Sequence, residues 1–250
     1  MISHDERNRY QRQLPLIAED GQEKLRNARI LIAGVGGLGT IIATYLAAAG
    51  VGRIRLVDHD KVETSNFNRQ MLHFSYDLGK QKIMSASEKL MMLNPYVKIE
   101  SIDKTINEDT VHEICRNMDI IIDAMDNFPT RYLLNRAAIA YRIPLFHGAV
   151  RGFYGQATTI MPCRTACLKC IFPTSPPPET FPIIGATCGV IGSIQSTEVI
   201  KYLTNKGDLL NNRMLFWDGL SGNMNIFAIS KNPYCQVCGN IILPQNWTGV

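Results

Sequence analysis

The feature that most constrains the fold is a group of glycines between an apolar segment and a run of small residues. The strand-like segment Arg29–Ala33 ends directly before Gly34, Gly36 and Gly39, which form the pattern G-x-G-x-x-G. The small and apolar residues Leu38–Ala49 follow and predict a helix. In a strand–turn–helix context these glycines allow a tight turn, and the helix N-terminus offers unpaired N–H groups to a phosphate. The motif predicts a nucleotide site; the alternative is a close-packed turn that binds nothing.

Two acidic residues lie at the end of the next predicted strand and just beyond it. Asp58 ends that strand nineteen positions after Gly39, and Asp60 lies two positions further on, in the segment LVDHD. An acidic residue about 20 positions past the glycines normally contacts a ribose hydroxyl. The glycines and these acids are equally compatible with NAD, FAD and ATP.

Two cations in the next segments favour a triphosphate. Arg69 lies in the segment SNFNRQ and Lys82 in GKQKIMSA. A nucleotide attacked at phosphorus needs such cations, because negative charge on its phosphoryl oxygens must be stabilised in the transition state. Ser65 and Asn66 can offer neutral hydrogen bonds to the same oxygens. For Lys82 the alternative interpretation is a solvated helix face beside Lys80.

A further carboxylate follows another predicted strand. Asp126 comes after the apolar segment Asp119–Asp123 and directly before a predicted helix at Asn127–Tyr141. A carboxylate at the C-terminal edge of a parallel sheet is well placed to hold Mg²⁺ on substrate phosphates. The alternative for Asp126 is a helix cap. Asp123 is equally compatible with a structural and a functional role.

Four of the seven cysteines form two CxxC pairs, which suit a metal site. The pairs are Cys167/Cys170 and Cys235/Cys238. Two CxxC pairs are typical of a tetrahedral Cys₄ zinc site that is structural, and the alternatives are disulfides or a redox-active CxxC. Because no signal peptide is recognisable, we expect a cytoplasmic chain with reduced thiols.

The remaining pattern predicts one α/β domain over residues 1–250, with a Rossmann-like, mostly parallel sheet, helices on both faces and later antiparallel strands. The predicted strands are Arg29–Ala33, Arg53–Asp58, Ile99–Ile102, Asp119–Asp123, Pro144–Phe146, Tyr154–Met161, Arg213–Asp218 and Met224–Ser230. At 250 residues and 46% hydrophobic, the chain can bury a substantial core. Pro176–Pro178 predicts a loop, since proline fits neither a helix interior nor a central strand. No apolar run approaches the ~20 residues that a bilayer requires.

Taken in order, the motifs resemble those of the ThiF/MoeB/HesA family, relatives of the ubiquitin-activating enzymes. The resemblance is carried by RYQRQ, GVGGLG, SNFNRQ, GKQK, DAMDN, ACLKC, GVIGSIQSTEVIKYL and CQVCG, which cover nearly the whole chain. It implies ATP-dependent adenylation of the C-terminal glycine carboxylate of a small ubiquitin-like sulfur carrier, for thiamine, molybdopterin or related sulfur transfer.

The resemblance also implies roles for residues at the matching positions. The nucleotide-binding positions would be Gly34, Gly36, Gly37, Gly39, Asp58, Asp60, Ser65, Asn66, Arg69, Lys82, Asp126 and Asn127. Arg69 and Lys82 would stabilise phosphates, and Asp126 would hold Mg²⁺. Arg12 resembles an arginine that the partner subunit of a homodimer extends into the site, in the manner of an arginine finger. The resemblance further favours zinc at the four CxxC cysteines.

Some family members use a cysteine in the loop after the first CxxC for sulfur chemistry, and this chain has none at the matching position near Pro178. Cys188 is a substitute nucleophile if a helix N-terminus lowers its pKa; the favoured alternative is a small core residue. No rhodanese-like segment follows in the sequence, so we expect the sulfur donor to be a separate protein.

Charge and composition limit the partners. The net charge of +4 comes with no cluster of lysine and arginine, so we expect no nucleic-acid partner. A mild positive charge suits an acidic carrier protein. Two alternatives remain for function: adenylation of a short peptide or small carboxylate, and a carrier-binding homologue that has lost catalysis. A Rossmann oxidoreductase is the least favoured.

Overall fold

A computed structural model describes residues 2–177 and 181–239. The strands are β1 (Arg29–Ala33), β2 (Arg53–Val57), β3 (Lys98–Ile102), β4 (Ile120–Asp123), β5 (Leu145–Arg151), β6 (Tyr154–Ile160), β7 (Arg213–Asp218) and β8 (Asn223–Ala228). The α-helices are α1 (His4–Tyr10), α2 (Leu14–Asn27), α3 (Gly37–Ala49), α4 (Lys82–Leu93), α5 (Val111–Cys115), α6 (Phe128–Tyr141), α7 (Leu168–Ile171) and α8 (Gly185–Thr204).

All eight strands form one sheet in the order β3-β2-β1-β4-β5-β6-β7-β8. The pairs from β3 to β5 are parallel, and the pairs from β5 to β8 are antiparallel. The chain leaves β1 toward β2 on one side and reaches β4 on the other, so the strand order reverses between β1 and β4. Ligands of open α/β sheets bind beyond the carboxyl ends of the strands at such a point.

Helices cover both faces of the parallel strands, because successive residues of a buried strand point in opposite directions. In β1, Ile30 and Ile32 pack into a core that includes residues of α3 and α8, whereas Leu31 and Ala33 pack into a second core that includes residues of α5 and α6. Each of these four side chains is fully buried. This double burial explains why β1 reads as a continuous apolar run.

The predicted strands all exist, with shifts at their ends. The segment predicted as Pro144–Phe146 is much longer, because β5 pairs with β6 along its whole length, from Leu145 with Ile160 to Arg151 with Tyr154. The last strand begins and ends earlier than predicted, in register with β7. Of the predicted proline loop, Pro176 and Pro177 lie outside helices and strands; Pro178 lies outside the described residues.

No helix in the described part of the chain combines the length and the apolar character that a bilayer crossing requires.

Gly192 lies at a close approach of α3 and α8. A Cβ atom at Gly192 would lie 2.9 Å from Cγ2 of Ile41 and 3.3 Å from the carbonyl oxygen of Leu38. A Cβ atom at Gly189, one turn earlier, meets no described heavy atom within 4 Å.

We expect Gly192→Ala to lower the free energy of unfolding by about 1–3 kcal/mol through overpacking. The matched variant Gly189→Ala should raise it by up to about 1 kcal/mol, because alanine has the higher helix propensity. Denaturant unfolding checks both, and equal effects would contradict the packing argument.

Candidate active site

A cavity of about 690 Å³ opens at the carboxyl ends of the parallel strands. Its wall includes the glycine turn, the segments after β2 and β4, part of the segment before α4, and residues near the start of α8. The cavity thus lies at the point where the strand order reverses. Among the predicted nucleotide-binding residues, those on its wall are Gly34, Gly36, Gly37, Asp58, Asp60, Ser65, Asn66, Arg69, Lys82, Asp126 and Asn127.

The glycine turn between β1 and α3 needs glycine for steric reasons. Gly34 has a φ of +94°, which side chains disfavour. A Cβ atom at Gly39 would lie 1.9 Å from the carbonyl oxygen of Gly34. Gly36 is the N-cap of α3 and has no side chain to cap it, so the first N–H groups of the helix are available to a ligand on the cavity wall. Gly39, predicted to bind nucleotide, therefore serves the turn itself.

Asp58 holds the glycine turn through its backbone. One carboxylate oxygen accepts the N–H of Val35 at 2.7 Å, and the other accepts the N–H of Asp60 at 2.8 Å. The carboxylate also lies on the cavity wall, and an ionised carboxylate has further acceptor sites for a ribose hydroxyl.

Lys82 is buried, which contradicts the interpretation of a solvated helix face. The residue is only 6% exposed, and its ammonium lies 2.7 Å from a carboxylate oxygen of Asp60 at the cavity wall. Its neighbour Lys80 is exposed and pairs with Asp77 and Glu88. The first turn of α4 therefore presents one compensated cation to the cavity.

The segment SNFNRQ forms a short 3₁₀ helix and turns that direct Arg69 and Asn66. Arg69 donates to the carbonyl oxygen of Ser65 at 2.8 Å and to Oδ1 of Asn68 at 3.0 Å. Asn66 is buried and its Oδ1 accepts the N–H of Glu63 at 3.0 Å. These bonds orient a guanidinium that has no carboxylate partner among the described residues. Arg69 and Lys82 both line the cavity, so an anionic ligand bound there would meet positive charge from both.

Asp126 and Asn127 divide the roles that the sequence left open. Asn127, and not Asp126, is the N-cap of α6, because its Oδ1 accepts the N–H of Thr130 at 2.9 Å. The helix-cap interpretation of Asp126 is therefore wrong. Asp126 is exposed on the cavity wall, where its carboxylate can reach a metal ion bound to phosphates.

Three buried residues beneath this segment were not all foreseen. Asp123 is fully buried; its carboxylate accepts from Nδ1 of His147 at 2.7 Å and from the N–H of Met125 at 3.0 Å. Nε of Arg131 lies 3.5 Å from the same carboxylate, and the guanidinium donates to the carbonyl oxygen of Met125 at 2.6 Å. Burial lowers the pKa of His147. The network holds both backbone groups of the residue before Asp126. Sequence reasoning singled out Asp123 but missed Arg131 and His147, since nothing in their spacing joins them.

Arg12 is not on the described wall of this cavity within its own chain. It is exposed in the turn between α1 and α2 and is absent from the described cavity wall. The geometry within one chain therefore leaves a role for Arg12 in trans as a prediction.

Cys188 has the environment of a core residue. It is fully buried in the fourth position of α8, which begins at Gly185 and not after Cys188. Burial raises the pKa of its thiol to about 11. A nucleophilic cysteine needs a lowered pKa, so this environment does not favour the nucleophile interpretation. Its Sγ would lie 2.7 Å from a Cβ atom at Gly37. Cys188 thus packs against the glycine turn.

The two CxxC pairs meet, although 65 positions separate them in the sequence. The four Sγ atoms all lie within 4.8 Å of one another, with Cys167 at 3.7 Å from Cys235 and Cys170 at 3.4 Å from Cys238. Four thiolates around a zinc ion with bonds of about 2.3 Å are about 3.8 Å apart. The donor set and its spacing therefore fit a tetrahedral thiolate-bound metal.

Comparison with known proteins identifies the family. The model of the ThiF family matches residues 10–237. The chain belongs to the ThiF family. It is 40% identical over 240 residues to the SAMP-activating enzyme E1 of Haloferax volcanii, covering 93% of this chain and 88% of that protein. It is 38% identical over 249 residues to the sulfur carrier protein adenylyltransferase of Thermus thermophilus, covering 94% and 92%. These relatives confirm the predicted enzyme class, a nucleotidyltransferase.

Further relatives extend the comparison to longer chains and to solved structures. The chain is 41% identical to the mouse adenylyltransferase and sulfurtransferase MOCS3, but spans only 54% of its length. A crystal structure of Escherichia coli MccB with ATP superposes with a TM-score of 0.86 at 23% identity, covering 93% of this chain and 75% of that one. This ThiF-family chain therefore has the predicted Rossmann-like fold.

Proposed function

We propose that this protein uses ATP to adenylate the C-terminal glycine carboxylate of a small ubiquitin-like sulfur carrier. The observation that carries the proposal is one cavity whose wall bears a helix N-terminus without a side-chain cap, together with Arg69, Lys82 and Asp126. The names of the archaeal and bacterial relatives, which match nearly end to end, support the carrier as substrate.

The reaction needs positioning and charge stabilisation and no protein base. The carrier carboxylate is already ionised at neutral pH. One of its oxygens attacks the α-phosphorus of ATP, the bond from that phosphorus to the bridging oxygen of the β-phosphate breaks, and pyrophosphate leaves with the electron pair. Arg69, Lys82 and the N–H groups at the start of α3 stabilise the negative charge on the phosphoryl oxygens. Asp126 would hold Mg²⁺, which would supply further charge neutralisation on the phosphates.

The proposal also covers the metal ion, the pathway of the carrier and the oligomeric state. The cluster of Cys167, Cys170, Cys235 and Cys238 holds a structural zinc ion that ties the segment after β8 to the segment after β6. The carrier ends in Gly-Gly and serves thiamine, molybdopterin or related sulfur transfer, and a separate protein supplies the sulfur. The active form is a homodimer.

ATP–pyrophosphate exchange with candidate carriers tests the function. Each carrier is supplied intact and with its Gly-Gly tail removed, because the tail holds the reacting carboxylate. Exchange that requires the tail of one carrier supports the proposal and identifies the pathway. Tight Mg-ATP binding without exchange in the presence of any carrier would contradict the carrier as substrate and would point to a peptide or small carboxylate.

The homodimer makes a separate prediction about Arg12. Arg12→Ala and Lys82→Ala are each expected to be inactive alone. In a dimer of one variant with the other, the subunit that retains Lys82 receives Arg12 from its partner, so one of the two sites is complete. Random mixing after subunit exchange should restore about a quarter of the wild-type exchange rate.

The control mixes Lys82→Ala with Arg69→Ala. Arg69 and Lys82 both line the cavity of the subunit that carries them. Each subunit of the mixed dimer therefore has a defect in its own cavity, and both sites are defective. Equal rates in the two mixtures would show that Arg12 does not act across the interface.

A further inference from the structure

A buried histidine outside the catalytic set contacts the back of the glycine turn. His73 is 3% exposed and lies between the segment SNFNRQ and α4. Its Nε2 is 3.2 Å from the carbonyl oxygen of Val35, and its Nδ1 is 2.9 Å from Oγ of Ser85. The ring therefore joins the turn between β1 and α3 to the helix that carries Lys82.

The neighbours of the ring determine where its hydrogen lies. A carbonyl oxygen only accepts, so Nε2 carries the hydrogen and donates to Val35. The ammonium of Lys89 donates to Oγ of Ser85 at 2.9 Å, which leaves the Ser85 hydroxyl hydrogen for Nδ1. Lys89 also pairs with the fully buried carboxylate of Asp77. The Ser85 hydroxyl also lies 3.4 Å from the carbonyl oxygen of Leu72, a longer contact than the 2.9 Å to Nδ1 of His73.

The ring is neutral at neutral pH. Burial lowers the pKa of His73 below its usual value, and the nearby ammonium groups of Lys82 and Lys89 lower it further. A neutral ring with its hydrogen on Nε2 agrees with the hydrogen-bond pattern.

The bond to Val35 fixes the direction of a different N–H group. The carbonyl of Val35 and the N–H of Gly36 belong to one planar trans peptide unit and point in opposite directions. Because the carbonyl faces His73, the N–H of Gly36 faces away from it. Gly36 lies on the cavity wall, and its N–H makes no hydrogen bond to a described residue. On the preceding peptide unit, Asp58 accepts the N–H of Val35.

We propose that His73 is a positioning residue that directs the N–H of Gly36 at a phosphate oxygen of the bound nucleotide. The identity of the ligand rests on the proposed function, whereas the constraint on the turn does not. Asp58 and His73 hold two successive peptide units, one through the N–H and the other through the carbonyl of Val35, so the turn is pre-organised before the nucleotide binds. Such pre-organisation lowers the ordering cost of binding.

Two amide substitutions test the two hydrogen bonds of the His73 ring separately. In His73→Gln, the side-chain amide nitrogen takes the place of Nε2 and can still donate to Val35. In His73→Asn, the shorter side chain reaches the place of Nδ1 and Ser85 but not Val35. Both variants carry a side-chain amide, and they differ by one methylene group.

Two measurements then test the proposal. Hydrogen exchange of the Val35 amide in the nucleotide-free protein reports the mobility of the turn, because that amide is held by Asp58. Calorimetry measures the affinity for Mg-ATP without carrier. We expect His73→Asn to speed the exchange and to weaken ATP binding about 10-fold, a typical effect of one lost hydrogen bond. His73→Gln should stay within about 3-fold of the wild type in affinity.

Equal exchange and equal affinity in the two variants would overturn the proposal. If the wild-type protein binds no ATP, the proposed function fails, and the exchange in the free protein still decides the role of His73. If His73→Asn does not fold, Ser85→Ala is used; it keeps the ring but removes the hydroxyl that orients it, and unchanged Val35 exchange would then overturn the proposal.

Discussion

Lys82→Ala is expected to lower ATP–pyrophosphate exchange by at least about 100-fold, because a desolvated cation aimed at developing phosphoryl charge contributes this much or more. Lys82 is 6% exposed and lies at the cavity wall. The fold should survive, since the Asp60 carboxylate that loses its partner is half exposed and remains hydrated. The measurement is the exchange rate together with thermal unfolding.

Two variants serve as controls for this result. Lys80→Ala removes the same charge two positions away, where the ammonium is exposed and paired with Asp77 and Glu88, and should keep near wild-type exchange. The double variant Asp60→Asn/Lys82→Ala should stay inactive. Recovery in the double variant would mean that the uncompensated Asp60 charge, and not the loss of Lys82, prevents nucleotide binding. Near wild-type exchange in Lys82→Ala itself would contradict the phosphate assignment.

Cys235→Ser is expected to release the bound zinc and to lower the melting temperature by roughly 10 °C or more, because a Cys₄ metal contributes directly to folding. Cys235 is buried, and its sulfur lies within 4.8 Å of the three other sulfurs. Zinc content by elemental analysis and thermal unfolding check the result.

The matched control for the metal site is Cys163→Ser. Cys163 is a free, half-buried cysteine outside the cluster, and its replacement should leave the zinc content unchanged. Titration of free thiols on the wild type distinguishes a metal from disulfides, since chelation should release four reactive thiols from the cluster. A full zinc content in Cys235→Ser, or no zinc in the wild type, would contradict the site.

Residues whose roles depend on neighbours close in the sequence could be predicted. The pattern Gly34-x-Gly36-x-x-Gly39 is required within one turn, because a φ of +94° and a Cβ placed 1.9 Å from a carbonyl oxygen are local steric facts. Asp58 follows a strand that the apolar pattern already marks. The helix-cap alternative for Asp126 places the cap one residue too early, because cap geometry depends on backbone angles that the amino-acid sequence alone does not specify.

Residues whose roles depend on distant partners could not be predicted. In the sequence, nothing separates Lys82 from the nearby Lys80. The two differ because Lys82 is buried against Asp60, which lies 22 positions away. Cys188 lies next to a glycine in a helix-like segment, but packing on the glycine turn makes its thiol a buried one with a raised pKa.

The family, the sheet of mostly parallel strands and the types of residues around the candidate site follow from the amino-acid sequence, because each depends on short-range periodicity, glycine sterics or fixed spacing. The burial of these side chains and the contacts that hold them depend on the tertiary fold. His73 and Val35 are 38 positions apart, and Asp123 and His147 are 24 apart. Packing of the sheet and helices brings such pairs together. A local sequence pattern contains no information on contacts between residues this far apart in the chain.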